Sequence, residues 1–152
     1  MYAPAAVATH GGAIQATTRF SPRSEMRMAD TGWISEMVAA WNAKDGERTA
    51  SFFEPQGCNE DVAKGFRLEG REAIAWMFSE GVPGVSADCK FEVENAVCDD
   101  RAYAFQWRWT GTHNETGRVF DIRGAAMGQL RDGLIAHNVD YWDPSQLPDA
   151  PS

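Results

Sequence analysis

Lys90-Phe91-Glu92-Val93-Glu94-Asn95-Ala96-Val97-Cys98 alternates with period two. Phe91, Val93 and Val97 fall on one face together with Asn95, and Lys90, Glu92 and Glu94 fall on the other, the pattern of a strand with one wet side. Three further stretches downstream have strand character: Ala102 to Thr110, Val119 to Leu130 and Leu134 to Trp142. The connections between them are short and carry Gly111, Gly117 and Gly133, so the four segments are expected to form an antiparallel meander.

Upstream of Lys90 the period changes. From Asp30, the residues Trp33, Ile34, Met37, Val38 and Trp41 recur at spacings that place them on one helical face. Asp45 is suited to cap a second helix running through Phe52 and Phe53, with Pro55 and Gly57 as its stop. Gly70-Arg71-Glu72-Ala73-Ile74 opens a third helix reaching about Ser79, before Gly81, Pro83 and Gly84. Helices first and strands afterwards predict an α+β domain with helices packed on one sheet face, not a parallel nucleotide-binding sheet. Neither GxGxxG nor GxxxxGK[ST] occurs, so the usual phosphate cradles are missing.

The chain has 152 residues, enough for one domain, with 43% hydrophobic and 24% charged residues. Its formal net charge of -8 and the lack of a basic run argue against nucleic acid as a partner. No stretch approaches the length of a membrane span. Residues 1–27, rich in Ala, Thr, Gly and Ser, read as a tail that is disordered or lies as an arm on a partner. Residues 28–148 read as the domain, and 149–152 as a second tail. His10, Gly11, Gly12 and Gln15 interrupt any signal-peptide core. Cys58, Cys89 and Cys98 match neither a disulfide framework nor a CxxC site, which points to a reducing, cytoplasmic setting. The three histidines lie far apart in sequence, so no metal is expected.

Trp41-Asn42-Ala43-Lys44-Asp45, Leu68-Glu69-Gly70-Arg71-Glu72-Ala73-Ile74, Thr110-Gly111-Thr112-His113 and the run from Asp132 to Asp143 stand in an order that resembles the SnoaL-like polyketide cyclase family, within the nuclear transport factor 2-like superfamily. The resemblance covers roughly Trp33 to Leu147. It implies a cone-shaped, curved antiparallel sheet with three N-terminal helices, an apolar pocket for a hydrophobic small molecule, chemistry without a cofactor, and a homodimer. Trp33, Trp41, Phe53, Trp76, Gln106, Trp107 and Trp142 are the candidate substrate-binding residues, set against the alternative that most such aromatics are core.

Asp61 ends a stretch, Phe53 to Asp61, that resembles the segment carrying the ketosteroid isomerase general base; its alternative is an exposed acid in a loop. A carboxylate in apolar surroundings suits proton transfer between carbons. The isomerase's two oxyanion donors fall at Met37 and near Ala126, so neither is present in kind. The closing strand of the family commonly presents His-x-Asp inward, and the matching residues here are Asn138 and Asp140. Alternation places Asn138, Asp140 and Trp142 on one face and His137, Val139 and Tyr141 on the other. His113 and Asp121 resemble the acid/base pair of the polyketide cyclases. Limonene epoxide hydrolase offers a poorer match, since only Asp140 corresponds to its Arg and two Asp.

These residues predict an enzyme performing cofactor-free proton transfer, whether isomerisation, cyclisation or dehydration, on a hydrophobic cyclic carbonyl compound. The competing expectations are a non-catalytic ligand-binding module and a dimeric interaction domain, with epoxide hydrolysis a lesser one.

Overall fold

A computed structural model describes residues 30–148 of the chain. The expected tails, residues 1–27 and 149–152, lie outside the described residues. Helix α1, Gly32–Asn42, buries Ile34, Met37, Val38, Ala40 and Trp41, the face that the apolar spacing predicts. Its last residue fastens it to the sheet. Asn42 Nδ2 donates to the Phe91 carbonyl at 2.9 Å, and its Oδ1 accepts from the Phe91 amide at 2.8 Å, so one side-chain amide satisfies the open edge of the outermost strand. Helix α2, Gly46–Ser51, starts at Asp45, whose carboxylate accepts from the Arg48 amide at 2.9 Å.

The second helix does not extend through Phe53 as expected. Strand β1 occupies Phe53–Asp61, and β2, Phe66–Glu69, returns antiparallel beside it. The polar run from Glu54 to Asp61 conceals β1 from a hydrophobicity reading. Pairing reveals it: β1 runs parallel to the last strand, with an irregularity between Phe53 and Cys58 that accommodates Pro55. Asp61 is therefore the last residue of a strand and not a loop acid.

Helix α3, Arg71–Trp76, passes into a π-helical turn at Met77–Gly81 and a final turn, α4, at Val82–Val85. The run continues past Gly81, with Pro83 in the first turn of α4.

Strands β3 (Lys90–Cys98), β4 (Ala102–Thr112), β5 (Val119–Arg131) and β6 (Leu134–Trp142) form the predicted meander. The six-stranded sheet has the order β2-β1-β6-β5-β4-β3, antiparallel except for β1 beside β6. One expectation for β3 fails. A bulge between Val93 and Asn95 reverses the alternation, so Ala96 is partly buried while Val97 is 49% exposed and Asn95 leaves the face of Phe91. The sheet is curved and open, and its inner face, with α1 and α3, encloses one core containing Ile34, Met37, Phe53, Ile74, Ile122 and Ile135.

Candidate active site

The parallel ladder between β1 and β6 sets Asn59 beside Asn138 and Asp61 beside Asp140. In-register neighbours point to the same side of a sheet, so this single register brings two amides and two carboxylates together on the inner face. Strand β4 supplies their partners from two strands away. Tyr103 lies opposite Gly128, and Gly128 lies opposite Asn138; Trp107 lies opposite Gly124. A Cβ at Gly128 would stand 2.5 Å from the Tyr103 hydroxyl, and one at Gly124 would stand 2.4 Å from the Trp107 ring. The two glycines are notches in β5 through which β4 side chains reach β6.

The hydrogen bonds fall into two sets, one around Asn138 and Asp140 and one around Asp61. Tyr103 Oη donates to Asn138 Oδ1 at 2.5 Å, and Asn138 Nδ2 donates to Asn59 Oδ1 at 2.8 Å and to Asp140 Oδ2 at 2.9 Å. Trp107 Nε1 donates to Asp140 Oδ1 at 3.2 Å. Asp61 accepts from Trp142 Nε1 at 3.1 and 3.0 Å and from the Lys64 amide at 2.9 Å. The Lys64 ammonium sits 5.6 Å above the Trp142 ring. Burial, reinforced by the charge of the neighbouring Asp61, pushes the Asp140 carboxyl up to about 7, against the opposing hydrogen bonds from Trp107 and Asn138. Burial, and secondarily Asp140, pushes the Tyr103 phenol well above its ordinary range, so it remains a donor.

Asp61, Asp140 and Lys64 are the charged residues lining a largely apolar cavity of about 370 Å³, a size suited to a small ligand. Of the candidate aromatics, Trp41, Trp76, Trp107 and Trp142 line it, joined by Phe66, Phe78, Phe91 and Trp109, and by Met77 and Val82 from the π turn and α4. Trp76 is 59% exposed. Replacing Trp76 with Ala is expected to leave the unfolding free energy within about 0.5 kcal/mol of wild type. Ligand affinity should drop about tenfold, because the ring supplies contact area rather than core packing; chemical denaturation and calorimetric titration measure the two effects separately.

The remaining sequence candidates lie elsewhere. Trp33 packs edge-on against Tyr103 at 5.1 Å and Phe53 is 1% exposed in the core; neither lines the cavity. Gln106 and Asp121 stand exposed on the outer face, because Phe105, Trp107, Phe120 and Ile122 take the inner positions. Asp121 is held there by Arg108, with Arg108 Nε donating at 2.7 Å. His113 is buried, but its Nδ1 accepts from the Glu115 and Thr116 amides at 3.3 Å, closing a turn, so His113 and Asp121 do not form a pair. Asn59, Tyr103 and Lys64 are absent from the sequence candidates. The signal for Tyr103 is a pair of glycines four residues apart inside a strand. Ala126, where the isomerase comparison asks for an acid, lies directly opposite Asp140, so the adjacent strand brings a carboxyl to the same layer. Among the described residues no group of three or more His, Cys, Asp or Glu is placed to hold a metal, and no helix is long and apolar enough to cross a membrane.

The family profile described as the SnoaL-like domain matches residues 34–138, from α1 to the Asn138 of this network. The chain belongs to the SnoaL-like domain family. Solved structures place this SnoaL-like domain in the nuclear transport factor 2-like, ketosteroid isomerase-like fold. A hypothetical protein of Catenulispora acidiphila with a ketosteroid isomerase-like fold, in complex with trimethylamine, is similar to it with a TM-score of 0.70 at 18% identity, covering 75% of this chain and 87% of that one. IdmH, a candidate polyketide cyclase of Streptomyces antibioticus, gives 0.63 at 21% identity, covering 75% and 91%. AclR, a candidate hydroxylase of Streptomyces galilaeus, gives 0.63 at 21% identity, covering 80% and 83%. No curated protein matches this chain by sequence.

Proposed function

We propose that this SnoaL-like domain is an enzyme that moves a proton within a hydrophobic, ring-containing carbonyl compound, with Asp61 as the base and Asp140 as the acid. The observation that carries the reading is the side-by-side placement of these two carboxyls on the wall of an apolar cavity. Two neighbouring carboxyls withdrawn from water cannot both ionise cheaply, and desolvation together with the charge of Asp61 leaves Asp140 holding a proton up to about pH 7. Asp61 is served by the Trp142 and Lys64 donors. Asp140 is the group on which burial favours the protonated form.

A ring ketone seated against Trp107 and Trp142 presents its carbonyl oxygen to Asp140 and an adjacent carbon to Asp61. Asp61 takes the carbon's proton while the Asp140 O–H supports the negative charge growing on oxygen; Asp61 then returns the proton to a different carbon. Return to the original carbon gives simple exchange, which makes exchange the widest test of the class. The ketosteroid isomerase and polyketide cyclase descriptions among the structural neighbours support ring compounds as the substrate class.

The experiment is proton–deuterium exchange at the α-carbon of a panel of monocyclic and polycyclic ketones in D2O, followed by NMR. The protein should accelerate exchange of at least one compound that it binds. Binding without exchange across the panel would leave the non-catalytic module as the function. The rate should fall as pH rises through about 7, where Asp140 loses the proton it donates. Stability should follow the same sign: because the folded state raises this carboxyl from 3.8 to about 7, the contribution is fully present below about pH 4 and is lost as pH rises through about 7.

A further inference from the structure

We propose that Tyr103 is a positioning residue for the acid pair, its hydroxyl locking the Asn138 amide in the orientation that keeps Asp140's proton for the cavity. The inference rests on the proton-transfer reading above and adds a residue that touches neither carboxyl.

An asparagine amide has a donor end and an acceptor end of nearly equal shape, so its neighbours decide its orientation. The donor end of Asn138 faces two acceptors, Asn59 Oδ1 at 2.8 Å and Asp140 Oδ2 at 2.9 Å. Its acceptor end faces the Tyr103 hydroxyl at 2.5 Å. With the amide reversed, Asn138 Oδ1 meets Asp140 Oδ2, and the contact is favourable only if Asp140 gives its own proton to Asn138. A proton spent there is not available to a substrate oxygen. Asn59 opposes the reversal weakly, since its own amide donates to the Met77 sulfur at 3.4 Å and can turn with Asn138.

Tyr103 is the member of the chain that has no second arrangement. Tyr103 is 3% exposed, and its hydroxyl lies against Gly128 with Asn138 Oδ1 as its acceptor. Trp33 edge-on at 5.1 Å and Phe105 at 6.2 Å hold the ring. A buried phenol left without an acceptor is costly, so the hydroxyl fixes Asn138, and Asn138 keeps Asp140 an acceptor on that side. Trp107 fills the other oxygen at 3.2 Å. The proton that Asp140 carries is thereby left to the directions of Asp61 and the cavity. The charged or titratable groups that face this assembly are Asp61 from β1, Lys64 from the β1–β2 turn, and Tyr103 itself.

The test is carboxyl carbon NMR on protein labelled at aspartate, with Asp61→Asn and Asp140→Asn used to assign the two resonances, in wild type and in Tyr103→Phe. Removing the hydroxyl frees the amide to reverse, so the Asp140 midpoint should move up by about one unit, a tenfold gain in proton affinity, while circular dichroism shows the fold retained. An unchanged midpoint in folded Tyr103→Phe overturns the proposal. If that variant does not fold, the wild type decides: the Tyr103 hydroxyl hydrogen should appear as a slowly exchanging resonance with cross-peaks to Asn138, and its absence at low temperature overturns the proposal. The titration contains no substrate. A shift without any ketone exchange would keep the positioning role and remove the catalytic reading, whereas ketone exchange without a shift would do the reverse.

Discussion

Asp61→Asn should lower the rate of α-proton exchange by about 10²–10⁴-fold, the usual contribution of a positioned general base, while the protein stays folded. The substitution is close to isosteric and preserves an oxygen for Trp142 Nε1 and the Lys64 amide, which both donate to Asp61 Oδ1, at 3.1 and 2.9 Å. It also removes the negative neighbour that helps to push Asp140 upward. Two readouts therefore move in a linked way: turnover falls, and the Asp140 midpoint drops toward the ordinary carboxylate range. Unchanged turnover would remove Asp61 from the mechanism. Asp140→Asn gives the complementary result, because it takes away the transferable proton but keeps the ladder and the cavity shape.

The second large effect is steric. Alanine in place of glycine inside a strand would ordinarily be neutral or favourable, since it restricts the unfolded chain. At Gly124 the sign should reverse. The new methyl group would meet the Trp107 ring at 2.4 Å, and that ring is boxed in by Phe91 at 6.2 Å while its Nε1 is held by Asp140. Gly124→Ala should therefore cost about 1–3 kcal/mol by overpacking. In a Trp107→Phe background the offending atoms, the six-membered edge of the indole, are gone, so the same alanine should cost much less. A coupling of about 0.5–3 kcal/mol in a denaturation double-mutant cycle is the expected result. Additive costs would show that Gly124 is not a passage for Trp107.

The sequence reveals this architecture unevenly, and the reasons are physical. Helix α1 and the meander are legible because their burial is one-sided and leaves a period. Strand β1 is not, because Glu54, Gln56, Asn59, Glu60 and Asp61 make it polar; it is a strand by virtue of a long-range pairing with β6. The bulge at β3 is invisible in a pattern that looks regular through Val97. Asp61 and Asp140 are each identifiable as candidates, but their adjacency is a matter of register between segments 79 residues apart. Tyr103 escapes notice because what matters is the side chain missing at Gly128. The misplacement of Gln106 and Asp121 has a different origin. Trp107 and Trp109 on the inner face already imply that Gln106 lies outside, and Phe120 and Ile122 imply the same for Asp121, so strict alternation excludes both before any coordinates are seen.

The parallel pairing of β1 with β6 has a consequence for how the protein comes into being. The helices and strands β3 to β5 can form their local contacts while the chain is being synthesised, but β1 has only β2 beside it until β6 has been made. Closing so long a loop is the slow, entropically expensive step of such a topology. The acid pair does not exist before that closure: Asp61 waits on an open edge, and Asp140 arrives with the strand that covers it. Chemical competence and completion of the sheet are thus one event, and a partly folded chain has no half-built version of this site to react with the wrong compound.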